Sequence, residues 1–313
     1  HQVFSGGEGA LSAPTYDPTA FAAILERSGD VQQPLPAAAL LERPAAGGDP
    51  STIAGWMATA FGPRSGQPAP ADATRSLELG FELLEAEDTG VARTLLYRAI
   101  AGHADRPYDL LDIAQRAMAA EQYDLQVDAA GTILRALTPE QQMSAPNALL
   151  RLAYPAHFLA QAQAGADESG VPVLLLLALV RQESAFNPTA GSHAGARGLA
   201  QFIPSTAADV LQALGHPMPL EQALDDPGMS LRMGAYYLAQ QIRAFDGNVV
   251  PALAGYNGGP GNARRWLDAH HPRNTDGYVW SVDFAETRLY LDRVLSNYAW
   301  YRYIYADAPL AVR

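Results

Sequence analysis

The stretch Val171–Pro204, VPVLLLLALVRQESAFNPTAGSHAGARGLAQFIP, decides how the chain is read. Its apolar run Val173–Val180 is far shorter than the ~20 apolar residues that span a bilayer. It therefore reads as a core helix, apolar nearly all round, which a globular protein buries completely. Ser169 or Gly170 is the expected cap and Pro172 suits the first turn. Asn187-Pro188 is the expected stop, because a residue before proline avoids the α region. Glu183 then falls on the last turn of a buried helix. Apolar surroundings and the negative end of the helix dipole both disfavour its charged form. A carboxyl kept protonated near neutral pH is what a general acid requires. The plainer reading of the same residue is a solvated Glu, or an ion pair with the nearby Arg181. Beyond it, Gly191, Gly195 and Gly198 punctuate a polar loop, and loops rich in glycine let backbone approach a ligand closely.

Four ordered motifs narrow the choice. They are Glu183-Ser184, Gly198-Leu199-Ala200-Gln201-Phe202-Ile203-Pro204, Ala254-Gly255-Tyr256-Asn257-Gly258-Gly259-Pro260-Gly261, and Glu286-Thr287-Arg288-Leu289-Tyr290. Together they resemble the soluble lytic transglycosylases, whose catalytic part has the goose-type-lysozyme fold. The resemblance covers about Leu159–Tyr305, less than half of the chain. It departs from the family at Ala200, where Met is usual, and at Gly255 and Gly258, where Ala is commoner. Ala200 bears on the shape of one sugar subsite.

The resemblance implies roles residue by residue. Glu183 is the catalytic acid. Ser192 and Gln201 hydrogen-bond sugar substituents near the cleaved bond. Tyr256 stands beside the acid and orients Glu183 or the substrate N-acetyl group, with Asn257 next to it. Glu286 and Tyr290, at i and i+4 on one helical face, line the glycan groove. Each has a structural alternative: loop-internal capping for Ser192 and Gln201, a satisfied core hydroxyl for Tyr256, and a pair with Arg288 or Arg293 for Glu286.

Composition sets outer bounds. The 313 residues suffice for two domains, and the absence of Cys rules out disulfides and Cys-ligated metal. The net charge of −12 argues against a nucleic-acid partner. From Arg181 onward there are 12 acids and 11 arginines, so the acidity lies in the N-terminal half. The catalytic half is near neutral and does not strongly repel an anionic polymer. The chain opens at His1-Gln2-Val3 without a Met, a charged leader or an apolar leader, and no transmembrane run follows. His193, His216, His270 and His271 lack ligand spacing with carboxylates, so no metal site is expected. No cofactor motif is present, neither a phosphate loop nor a dinucleotide fingerprint nor a serine elbow.

The expected architecture is all-α: a helical-repeat, solenoid-like N-terminal region followed by a lysozyme-like α domain. Residues 1–70 read as an irregular Pro/Gly-rich helical start, with short helices at Thr19–Arg27, Leu35–Glu42 and Thr52–Phe61. Residues 71–146 read as the helical-repeat domain. Leu77, Phe81 and Leu84 fall at i, i+4 and i+7. Ala86-Glu87 recurs as Ala120-Glu121, an offset of 34 that is typical of helix-pair repeats. Coincidental register in Ala/Leu-rich helices gives the same pattern. Residues 147–313 read as the catalytic domain, entered by one helix from Asn147 to Gln163. Further helices are expected at Ser205–Leu214, Gly228–Phe245, Asn248–Tyr256, Asn262–Ala269 and Ala285–Tyr305. A small β-ribbon is expected in the Gly191–Gln201 loop.

Glycoside hydrolysis ordinarily takes two carboxylates. Between Glu183 and Asp209 there is no further acid, leaving Asp225, Asp226 and Glu286 as distant candidates. One carboxyl suits a substrate that carries its own nucleophile, as N-acetylmuramic acid does. The resemblance therefore implies non-hydrolytic cleavage of the β-1,4 bond between N-acetylmuramic acid and N-acetylglucosamine, leaving 1,6-anhydro ends. Peptidoglycan strands are the implied partner, the helical repeats a place for other cell-wall proteins, and the periplasm the implied location. A goose-type-lysozyme-like muramidase or a cell-wall scaffold are the alternatives.

Overall fold

The structure is a computed structural model and describes residues 50–270 and 275–306. The helices expected at Thr19–Arg27 and Leu35–Glu42 lie outside them. Sixteen helices and no β-strand occur among the described residues. The chain forms two compact units that divide between Pro155 and Ala156.

The first unit holds seven helices: α1 (Pro50–Phe61), α2 (Ala71–Glu85), α3 (Thr89–Gly102), α4 (Pro107–Ala119), α5 (Tyr123–Arg135), α6 (Pro139–Met143) and α7 (Asn147–Ala153). Helices α2 and α3 pack as one pair and α4 and α5 as the next. The offset of 34 reappears in the backbone. Glu87 and Glu121 both take a left-handed conformation, with φ of 62° and 56°. The turns around them close with matching bonds: Asp88 N–H to Leu83 C=O, and Gln122 N–H to Ala117 C=O. Helices α3 and α5 then begin 34 residues apart. Gly80 lets α2 approach α3, since a Cβ there would lie 2.7 Å from Leu96 Cγ. Between the pairs, the buried Asp124 accepts from Arg93 and from the Tyr97 hydroxyl.

Helix α7 packs on α5. The sequence reading put a boundary after residue 146 and another after residue 70. The compact units place residues 50–70 and 147–155 with the repeats instead. Leu149, Leu150 and Leu152 are buried there, which fixes α7 to the first unit. The single helix expected from Asn147 to Gln163 is broken. Tyr154, ahead of Pro155, leaves the helical region at φ −125° and ψ 64°, as a residue before proline must.

The second unit holds α8 (Leu159–Ser169), α9 (Val173–Glu183), α10 (Pro204–Ala213), α11 (Leu220–Asp225), α12 (Pro227–Ala244), α13 (Val249–Gly258), α14 (Pro260–His270), α15 (Thr275–Ser281) and α16 (Ala285–Ala306). Helix α9 is its axis. All eight residues Val173–Val180 are buried, and α9 packs along α16. The cap differs from expectation. Pro172 is the N-cap of α9, while Gly170, at φ 72°, closes α8. A left-handed glycine is the usual end of a helix, so this residue serves the preceding helix. Helix α9 also stops before Asn187-Pro188. Ala185 and Phe186 are left-handed, at φ 47° and 65°, and turn the chain immediately after Ser184. Instead of a β-ribbon, the 191–202 loop carries two isolated bridges, Gly191 with Arg197 and Arg197 with Phe202.

Candidate active site

Glu183 is the last residue of α9, and the Tyr290 hydroxyl on α16 donates to its Oε1 at 2.7 Å. The side chain keeps a partial opening to solvent but is packed densely enough that desolvation dominates its titration. Burial pushes its pKa up to about 8, against the opposing pull of the Tyr290 hydrogen bond. The ion pair with Arg181 does not form. The Arg181 guanidinium donates to Asn297 Oδ1 at 2.8 Å, and Asn297 donates in turn to the Ala178 carbonyl.

The glycine loop is fixed beside the acid by hydroxyls from three helices. Ser184 Oγ, at the end of α9, donates to the Leu199 carbonyl at 2.9 Å. Tyr256 Oη, on α13, donates to the Ala200 carbonyl at 3.0 Å. Ser230 Oγ, on α12, accepts from the Ala200 N–H at 3.3 Å. Gly198 cannot be another residue. Its φ is 79°, and a Cβ would stand 2.1 Å from the Leu224 carbonyl oxygen. Arg197, in the same loop, pairs with Glu221 and Asp225 on α11.

Each residue singled out in the sequence has a definite place. Gln201 is buried at φ 51°, and its Nε2 donates to the carbonyls of Ala190 and Gly198. Its Oε1 has no partner among the described residues, an unsatisfied acceptor of the kind a bound hydroxyl or amide would complete. Ser192 Oγ accepts from the Ala196 N–H at 3.0 Å, which is loop-internal capping. Tyr256 lies close enough to Glu183 for that charge to help raise its own pKa, though burial is the larger cause. Its ring packs on Tyr237 at 5.1 Å and Phe202 at 6.2 Å. Asn257 Oδ1 accepts from Thr287 Oγ1 at 2.8 Å, tying α13 to α16. Glu286 is exposed on the first turn of α16, one turn before the buried Tyr290. Ala200 is fully buried, and a Cβ on Gly234 of α12 would lie 2.9 Å from its methyl. Its small size therefore sets the distance between loop and helix.

The distant carboxylates are committed elsewhere. Asp225 is held by Arg197, Asp226 caps α12 by accepting from the Met229 N–H at 2.7 Å, and Glu286 faces solvent. Among the described residues, no second carboxylate contributes to the titration of Glu183. The direct contact of Tyr290 with the acid was not legible in the motif. The i, i+4 spacing put Tyr290 beside Glu286, whereas tertiary packing sets it against Glu183. Ser230 lies outside every motif and carried no signal.

Known proteins resemble this chain in sequence and in fold. Residues 160–279 match the family model described as the transglycosylase SLT domain. The soluble lytic murein transglycosylase of Escherichia coli K12 is 37% identical over 143 residues, which is 44% of this chain and 22% of that protein. The membrane-bound lytic murein transglycosylase C of Sodalis glossinidius is 33% identical over 129 residues, 38% of this chain and 36% of the relative. Among solved structures, an inactive Glu-to-Gln mutant of the Pseudomonas aeruginosa lytic transglycosylase Slt superposes with a TM-score of 0.63 at 26% identity. That match covers 85% of this chain and 45% of the other. The E. coli 70 kDa soluble lytic transglycosylase shares the fold, with a TM-score of 0.60 at 24% identity, over 91% of this chain and 45% of the other. The chain thus spans less than half the length of each of these relatives, and its residues 160–279 are what is similar to the transglycosylase SLT domain.

Proposed function

We propose that this chain cleaves peptidoglycan as a lytic transglycosylase. The observation that carries the reading is a single buried carboxyl, Glu183, whose pKa burial pushes up to about 8 and which Tyr290 holds, with no second carboxylate among the described residues acting on it. Most retaining and inverting hydrolases use a partner carboxylate as nucleophile or as base for water. A lone acid instead suits a substrate that supplies its own nucleophile.

The chemistry follows in two steps. Glu183 gives its proton to the glycosidic oxygen between N-acetylmuramic acid and N-acetylglucosamine, and that C–O bond breaks. The N-acetyl oxygen of the muramic residue bonds to the anomeric carbon, giving a cyclic cation. Glu183, now a carboxylate stabilised by the Tyr290 hydroxyl, takes the proton of the 6-hydroxyl. That oxygen attacks the anomeric carbon, releases the N-acetyl oxygen and closes a 1,6-anhydro ring. Glu183 ends protonated, and no water is consumed. Gln201 Oε1 is the acceptor available to a substrate N–H or O–H. The inactive Glu-to-Gln mutant of the Pseudomonas aeruginosa lytic transglycosylase Slt supports a mechanism resting on one acid. With murein as substrate, the place of action is the periplasm.

Mass analysis of purified peptidoglycan digested by this protein tests the reading. The expected products are muropeptides one water lighter than hydrolysis products, without a reducing end. A digest made of reducing sugars would overturn the transglycosylase reading in favour of a muramidase.

A further inference from the structure

In the second unit, the large apolar side chains most exposed among the described residues all fall within ten positions: Trp280 at 80%, Phe284 at 45% and Leu289 at 40%. The backbone that presents them is held firmly. Trp266, itself buried, donates its indole N–H to Asp283 Oδ1 at 2.6 Å, and Arg265 pairs with the same carboxylate. Phe284 packs edge-on against Trp266 at 5.2 Å, and Val282 is fully buried between them in sequence. These two aromatics are therefore exposed from a fixed frame. The strip also runs toward the acid. Phe284 immediately precedes α16, Glu286 and Leu289 are exposed on its first turns, and Tyr290, the next residue, bonds Glu183. At ~1.5 Å per residue, Phe284 and Tyr290 are about 9 Å apart along the helix.

We propose that Trp280, with Phe284, is a stacking platform for sugar rings of a long glycan strand, outside the bond-cleaving site. The inference rests on the reading of peptidoglycan as substrate. A pyranose presents a face of C–H groups that lies flat on an indole, while its hydroxyls reach polar neighbours. Here those neighbours are Arg265, Asp283 and Glu286. A protein partner is disfavoured by size, since a stable interface buries ~800 Å² on each side around an apolar core. Three side chains set among charges do not build such a core, whereas one aromatic face suffices for one sugar.

The test uses the whole chain carrying Glu183→Gln, so that binding is read without cleavage, with and without Trp280→Ala. The readouts are sedimentation with insoluble peptidoglycan and titration with N-acetylglucosamine oligomers followed by tryptophan fluorescence. Loss of one stacked ring should weaken retention about threefold to tenfold, and Trp280→Phe should restore most of it. In the active chain, Trp280→Ala should leave turnover of a short fragment spanning only the cleaved bond within about twofold, and slow digestion of insoluble strands. Its melting temperature should not change, because Trp280 is mostly exposed. Equal retention with and without Trp280 would overturn the proposal, as would equal loss on short and long substrates. So would concentration-dependent self-association abolished by Trp280→Ala, which would make the strip a contact between copies. Retention that depends on Trp280 in a protein giving no anhydro products would sustain the platform and remove the transglycosylase reading. Anhydro products with retention independent of Trp280 would do the reverse.

Discussion

Glu183 has one structural and one chemical consequence, and both can be measured. Its raised pKa keeps the acid loaded at neutral pH. Activity should therefore fall as pH rises through about 8, where Glu183 becomes deprotonated before the first step. Glu183→Gln removes the transferable proton and should cost at least ~10²–10⁴-fold in cleavage, while binding of glycan persists. Linkage gives a second readout. A carboxyl whose folded pKa lies above the unfolded ~4.3 contributes fully to stability below that value, and the contribution is lost as pH rises through the folded pKa. Wild type should lose stability relative to Glu183→Gln between about pH 4 and 8, and the gap should be constant beyond. Paired thermal melts across this range check the sign. A variant much less stable than wild type at pH 8 would make Glu183 a structural partner instead. Tyr290→Phe deletes the donor that favours the carboxylate. The alkaline limb of its pH–activity profile should move upward, with a roughly tenfold lower rate from the misplaced acid. An unmoved limb would mean that the hydroxyl does not act on Glu183 during turnover.

At the scale of elements, the turn after α9 and the 198–201 peptides carry the site. Gly198→Ala would place a methyl against the Leu224 carbonyl in a left-handed conformation. It should destabilise the protein by about 3 kcal/mol, through strain and overpacking together. Thermal melts and activity should fall together, because the same loop holds Gln201. The repeat turns offer the opposite test. Glu87 and Glu121 each hold a left-handed backbone without being glycine. That conformation costs an L-residue ~1–2 kcal/mol, part of which glycine returns through its greater freedom when unfolded. Glu87→Gly and Glu121→Gly should each leave stability unchanged or raise it by up to ~1 kcal/mol, as denaturant titration would show. A clear loss at either would mean that the glutamate side chain supports its turn.

For the molecule as a whole, the division between Pro155 and Ala156 sets where the chain can be cut. A fragment beginning at Ala156 should fold cooperatively, keep its helical circular dichroism and cleave short soluble glycan fragments. A fragment beginning at Asn147 carries α7 without α5, leaving Leu149, Leu150 and Leu152 uncovered. It should be the more aggregation-prone of the two in light scattering. If the Ala156 fragment stays helical and soluble but is inactive on short substrates, residues before it complete the site.

What the sequence settled by itself were features written in local pattern. A run of eight apolar residues can only be a core helix, so α9 and the Glu at its end were legible at once. The periodic Leu and Ala positions announced helices throughout, and the offset of 34 announced paired turns before any backbone angle was known. Glycine at 198 signalled a close approach. Contacts between distant segments were decided only by the tertiary structure. Residue spacing joined Tyr290 to Glu286, yet packing of α16 along α9 turned it to Glu183. Proximity in sequence offered Arg181 as the partner of the acid, yet its guanidinium reached Asn297 instead. The end of the repeat unit was hidden because α7 is a good helix wherever it sits, and only its burial on α5 assigns it. Ser230 had no signal at all, since its role depends on a residue 30 positions beyond Ala200 folding back beside it, at no fixed spacing that a local pattern records. Helix propensity and hydrophobic period are properties of neighbours along the chain. A hydrogen bond to a buried acid depends on which helices share a face, and that is settled by packing alone.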